Sequence, residues 1–275
     1  MSLPPGFGRN LARRVATALV VLPALLAAVF LGPPALGVAI VALAVLLGMW
    51  EFLALLEARG LRPLRATGLV LAAALFLEVA WPGGVPPLLP LAALLLLAVA
   101  LRRAPEGKDS IPSTAGTLLG AVYLGALGGT IGALRMLEPS SAGAWRVLLL
   151  LSIVMLSDTV AYFVGHVWGR HRLAPRLSPG KSIEGALGGL AGGVLAALAV
   201  RGIGLPALPL LHVVALGLAV SALGIVGDLE ESLLKRWAGV KDSGTLFPGH
   251  GGMLDRLDSL LFGAPVLYYY FLYAN

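Results

Sequence analysis

Cysteine is absent from this 275-residue chain. Disulfides, thiolate metal sites and a cysteine nucleophile are thereby excluded, while the compartment stays open. Charge is scarce as well. Only 12% of the residues are Asp, Glu, Lys or Arg, about half of what a water-soluble domain carries. What is there instead is apolar: 58% of the chain is hydrophobic, mean hydropathy is +0.91, and the apolar residues fall in long blocks. So few charges cannot cover a globule in water, and the solvent for most of this chain is lipid. The 36 glycines suit helices that pack closely in a bilayer. The net charge of +6 does not point to nucleic acid, because basic residues of a membrane chain gather on cytoplasmic loops and face anionic headgroups.

A membrane span needs about 20 mainly apolar residues. That criterion predicts nine, at residues 13–31, 34–56, 66–81, 86–101, 114–135, 146–166, 184–201, 207–227 and 257–274. No A-x-A-like site follows the first block, which is therefore expected to be a retained span and not a cleaved signal. Trp81–Gly84 reads as a tight interfacial turn. With the N-terminus in the cytoplasm, only Arg135, Arg146 and Arg201 of the 20 Lys and Arg residues face outward; the reverse orientation would invert that ratio. The expected fold class is an all-α polytopic membrane protein of about nine transmembrane helices with a cytoplasmic N-terminus. Residues 1–112 form an N-terminal transmembrane region of four spans, and residues 113–275 a C-terminal catalytic region of five.

Charge concentrates in Gly227–Asp258. Ionisable groups at a membrane boundary are costly and by default mark function. Asp228, Asp255 and Asp258 are hard oxygen donors of the kind Mg2+ takes, alongside substrate phosphates. Lys235, Arg236, Lys241 and Arg256 can neutralise phosphate oxygens. Pro248–Gly252 holds three glycines in five positions, so its backbone N–H groups can approach an anion. Carboxylates, cations and a glycine loop together suit phosphoryl or nucleotidyl transfer, where catalysis is chiefly positioning and charge stabilisation. Plainer readings stand beside these. Glu231 and Lys235, four apart, make a surface helix pair; Lys235, Arg236 and Arg256 anchor helices to headgroups; Asp255 and Asp258 are acids at a helix N-terminus; His250 is a loop residue.

A second polar segment runs from Asp158 to Gly185. Asp158 lies inside the sixth span, as a functional group or as a hydrogen-bond partner of a neighbouring helix. Ser178, Lys181 and Ser182 precede a helix start that attracts phosphate, or Ser182 simply caps it. His166 and His171 lack a metal-ligand pattern and read as interfacial.

Ser232-Leu-Leu-Lys235-Arg236, Lys241-Asp242, Pro248-Gly249-His250-Gly251-Gly252 and Asp255-Arg256-Leu-Asp258 together resemble the signature of the phosphatidate cytidylyltransferases (CDP-diglyceride synthetases). Asp158–Gly185 resembles that family more loosely: Gly180 stands where a Lys is usual, and Ser182-Ile183 where Thr-Trp is usual. The resemblance implies attack of the phosphate of phosphatidic acid on the α-phosphorus of CTP, giving CDP-diacylglycerol and pyrophosphate with Mg2+, and it allows K+ beside that ion. It also implies a homodimer in a bacterial inner membrane with a cytoplasm-facing site. In this picture Asp228 and Asp255 hold the metal, with Asp258 as ligand or support. Lys235, Arg236, Lys241, Asp242, His250 and Arg256 complete the catalytic set. Asp158, Ser178, Lys181, Ser182, Glu184, Ser232, Gly249, Gly251 and Gly252 bind substrate. A CTP-dependent kinase or cytidylyltransferase acting on a polyprenol-type lipid is the alternative enzyme. A transporter would show repeated, broken spans, and the charge here lies in one unrepeated stretch.

Overall fold

The computed structural model describes residues 23–81, 88–103, 109–138, 140–244, 246 and 251–274. Residues 23–31 are helical, and eight helices follow among the described residues. They are α1 (Pro34–Ala58), α2 (Arg65–Ala80), α3 (Leu89–Arg103), α4 (Ser110–Met136), α5 (Ser141–Trp168), α6 (Ile183–Gly204), α7 (Leu210–Ala238) and α8 (Leu254–Tyr273). Five of them, α1 and α4 to α7, are long and apolar enough to cross a membrane. The chain is a polytopic helical membrane protein. One departure from an all-α reading is a small antiparallel hairpin between α5 and α6, β1 (Arg172–Ala174) with β2 (Ser178–Ser182), in the register Arg172↔Ser182 and Ala174↔Ser178. The first part of the expected span 13–31 and the expected turn at 82–84 lie outside the described residues.

Local sequence accounts for the helix ends. Pro33 is extended and Pro34 opens α1, where a missing N–H costs nothing. Ser140 accepts from the N–H of Ala142 to start α5, and Ser182 accepts from that of Gly185 to start α6. Gly239 closes α7 in the left-handed region at φ 77°: its N–H reaches the carbonyl of Arg236, and the N–H of Val240 reaches that of Lys235. This pattern satisfies two carbonyls that the helix end leaves open.

Two apolar clusters organise the packing. In one, Met49, Phe52, Phe76 and Leu124 of α1, α2 and α4 meet Leu254 and Leu261 of α8. In the other, Leu134, Leu150, Ala197, Val220 and Leu267 join α4 to α8 through α5, α6 and α7. Small residues set the approach between helices. Along α6, Gly185 and Gly189 lie against the backbone of Ala161 and Ser157 in α5, and Gly193 lies against Ser221 and Gly217 of α7. Residues four apart share one helix face, so this is a stripe of small residues of the kind membrane helices use. Gly125, in a π-helical stretch of α4 (Ala121–Ala126), touches the backbone of Ala72 in α2. A side chain there would force the two backbones apart. Gly125→Val is expected to cost roughly 1–3 kcal/mol through overpacking, read as a lower unfolding temperature in detergent, while Gly202→Val, at an open position, leaves it unchanged.

Candidate active site

The last turns of α7 set the site. Asp228, Glu231 and Lys235 are three and four residues apart, so one stripe of the helix carries all three. Gly227 lets α8 come close, since a β-carbon there would meet the carbonyl of Asp258 and the ring of Phe262. Asp228, Glu231 and Asp258 then each offer one carboxylate oxygen within 4.8 Å of the others. Glu231 is 1% exposed, and its Oε1 is buried without a hydrogen-bond partner.

Lys235 lies at the next turn. Its Nζ is 2.6 Å from Glu231 Oε2 and 2.6 Å from Asp255 Oδ1. Asp255, in the first turn of α8, has little capacity left. Its Oδ2 accepts from the backbone N–H of Gly252 at 2.7 Å and of Ser243 at 3.2 Å, with the Ser243 hydroxyl at 2.9 Å. A carboxylate has about four acceptor positions, so Asp255 holds the loop and Lys235 in place. Gly251, at φ +80°, sits where a β-carbon would strike that carboxylate.

These groups open into a cavity of about 1370 Å3. Lys181, from β2, crosses it to Asp228, with Nζ 2.5 Å from Oδ2. Asp158 of α5 is exposed to the same space. Of the other residues singled out in the sequence, Ser178, Ser182, Lys241, Asp242, Gly251 and Arg256 also line it. Ser182 is at once a lining residue and the cap of α6. Glu184, Ser232, Arg236 and Gly252 do not line it. Glu184 instead clamps the root of the hairpin, accepting from the N–H groups of Arg170 and His171 at 3.1 and 3.2 Å and meeting His171 Nδ1 at 2.6 Å. Gly249 and His250 lie outside the described residues.

Sequence reasoning missed several contributors. Glu231 read as one half of a surface pair, but it is buried and central to the acidic cluster. Tyr162, His166 and Arg172 line the cavity, and only their place within the second polar segment, Asp158–Gly185, hinted at them. Glu51 of α1, 8% exposed, accepts from the N–H groups of Met253 and Leu254 at 3.0 and 2.8 Å. Its signal was visible: a lone acid within an otherwise apolar block.

The profile of the cytidylyltransferase family matches residues 12–274. The chain belongs to that family. Over 162 residues it is 38% identical to the phosphatidate cytidylyltransferase of Staphylococcus epidermidis and 39% identical to that of Staphylococcus aureus strain COL. Those matches cover 59% of this chain and 60% of each relative. It is also 44% identical over 131 residues to "Uncharacterized protein YnbB" of Escherichia coli K12, covering 48% of this chain and 44% of the relative. The matched region thus spans about half the length of these curated relatives. For a cytidylyltransferase-family site, the paired arrangement of carboxylates and lysines balances charge in a poorly hydrated place. Removing Lys235 would leave Glu231 and Asp255 buried and uncompensated. Lys235→Met is expected to lower stability by about 3 kcal/mol, as broken buried pairs do, with Lys235→Arg losing less; thermal unfolding in detergent reads both.

Proposed function

We propose that this chain transfers the cytidylyl group of CTP to phosphatidic acid, forming CDP-diacylglycerol and pyrophosphate. One observation carries the reading: three carboxylates with oxygens within 4.8 Å of one another share a cavity with Lys181 and Lys235. The cavity, at about 1370 Å3, exceeds the range of roughly 300–1000 Å3 usual for one small ligand, which suits a nucleotide and a lipid headgroup together. Membership of the cytidylyltransferase family and the printed names of the staphylococcal relatives support the same choice of substrates.

The donor set fits a hard divalent cation. Asp228, Glu231 and Asp258 would hold Mg2+, and the buried Glu231 Oε1, without a hydrogen-bond partner, is the kind of atom such an ion satisfies. Bound there, Mg2+ supplies charge neutralisation to the triphosphate. Asp255, which the resemblance suggested as a ligand, acts by fixing Lys235 and the loop. Lys181, Lys235, Lys241 and Arg256 line the cavity and balance phosphate charge there. The acceptor phosphate monoester is largely doubly ionised near neutral pH, its second pKa being about 6, so its oxygen needs no base. That oxygen forms the new bond to the α-phosphorus, the α–β bridging bond breaks, and pyrophosphate leaves with the electron pair.

The same proposal includes nine spans, a cytoplasmic N-terminus and site, a bacterial inner membrane and a homodimer. The scarcity of basic residues on one side of the span alternation supports the orientation.

With labelled CTP, phosphatidic acid and Mg2+, the purified protein is expected to yield lipid-linked CMP and pyrophosphate. Asp228→Asn should lower the rate about 100-fold or more and raise the Mg2+ needed. Appearance of CDP and a newly phosphorylated lipid would instead favour the polyprenol-kinase alternative. The absence of cysteine makes the orientation directly readable. A single cysteine at Lys241 should react with an impermeant maleimide only from the cytoplasmic side, and one at Gly202 only from the opposite side.

A further inference from the structure

Glu51 is one of five acids among the first 112 residues, and it reaches the start of α8. It is buried in the middle of a contact between α1, the loop that leaves α7 and the start of α8. Oε1 accepts from the N–H of Met253 at 3.0 Å and Oε2 from that of Leu254 at 2.8 Å. These are N–H groups at a helix start, which have no partner within the helix, and a carboxylate is favoured there by the helix dipole. Ser243 Oγ lies 3.1 Å from Glu51 Oε2 and 2.9 Å from Asp255 Oδ2. A hydroxyl has one proton to give, so Ser243 serves one carboxylate at a time and ties the two together.

The loop is shaped to this carboxylate. A β-carbon on Gly244 would strike Glu51 Oε1, and one on Gly252 would strike Oε2. Gly252, from the glycine-rich run Pro248–Gly252, and Gly244 ahead of it therefore make room for a side chain from a distant helix. The next residues along α8 are Asp255, which fixes Lys235, and Asp258, which belongs to the carboxylate cluster.

We infer that Glu51 is a positioning residue, the point at which the N-terminal helices set the placement of Asp255 and Asp258. Its role for the metal and the nucleotide rests on the function proposed above, but its role at the loop does not. Glu51 is not among the residues that line the cavity; it orders the backbone from which two site acids project. A substitution that merely loosened the bundle would reduce the amount of folded protein and leave the folded remainder with normal affinity. Loss of positioning changes the affinity of the folded protein itself.

The test uses Glu51→Gln and Glu51→Ala of the full chain in nanodiscs, with three readouts. Hydrogen exchange of a peptide covering residues 251–258 should speed up about tenfold in Glu51→Ala, the scale of one hydrogen bond to a charged group. Mn2+ binding, followed by electron paramagnetic resonance without lipid substrate, should weaken severalfold, and kcat for CMP transfer should fall about tenfold with KM for CTP within about twofold. Glu51→Gln keeps one carbonyl acceptor and should fall between wild type and Ala. Should Ala fail to fold, Gln decides alone. Wild-type exchange at residues 251–258, or wild-type Mn2+ affinity, in every variant that folds would overturn the inference. If wild-type protein transfers no CMP, the functional reading fails, while exchange and Mn2+ binding still decide the role of Glu51.

Discussion

Lys235 lies 2.6 Å from each of two carboxylates, Glu231 on its own helix and Asp255 on the next. In a bundle where most neighbours are apolar, a lone charge at that depth would be strongly disfavoured, and a matched group is tolerable only if every member keeps its partner. The rest of the site follows from that requirement. Asp255 must sit over α7, so α8 must start there. The loop before α8 must offer its N–H groups to Asp255, so it carries Gly251 and Gly252. Glu231 faces both Lys235 and the oxygens of Asp228 and Asp258, which joins the ion pair to the cluster suited to a cation.

The helices bring these groups together by approaching more closely than large side chains allow. Gly227 admits α8 to α7, and the glycines of α6 admit α5 on one side and α7 on the other. Asp158, Lys181 and Asp228 come from three separate elements and share one cavity because of that approach. Without a hydrophobic force between helices in lipid, packing of small residues is the main means of holding such an arrangement. The glycine content that suits close helix packing in a bilayer is thus also what shapes the cavity.

Much of this was legible in advance. Hydropathy located the helices, and the described ones overlap the expected spans, because length and apolarity are the same physical quantity in sequence and in bilayer. The density of charge in Gly227–Asp258 located the site, and the motif around Lys235 and Asp255 pointed to the family. Pairing was not legible. Spacing could say that Glu231 and Lys235 share a helix face, but whether that face meets water or another helix depends on how α8 folds back onto α7, which spacing within α7 does not encode. Glu51 lies 202 residues from Met253, and no local pattern encodes such a contact. The hairpin was missed because five residues containing Pro179 and Gly180 have little strand propensity of their own; the root is held from outside by Glu184.

The length of α7 carries a consequence for what can react. Leu210 to Asp228 is 18 residues, which at 1.5 Å per residue is about 27 Å, close to the roughly 30 Å of a hydrocarbon core. The helix thus runs about one apolar thickness before its first carboxylate, which under the proposed function would stand near the lipid phosphates. A phosphate tethered to two acyl chains is held at that level by its own insertion, without leaving the leaflet. A water-soluble phosphate has no such depth to keep. Selection for an acyl-anchored acceptor can then arise from where the bilayer holds it, before any side chain has recognised its chemistry.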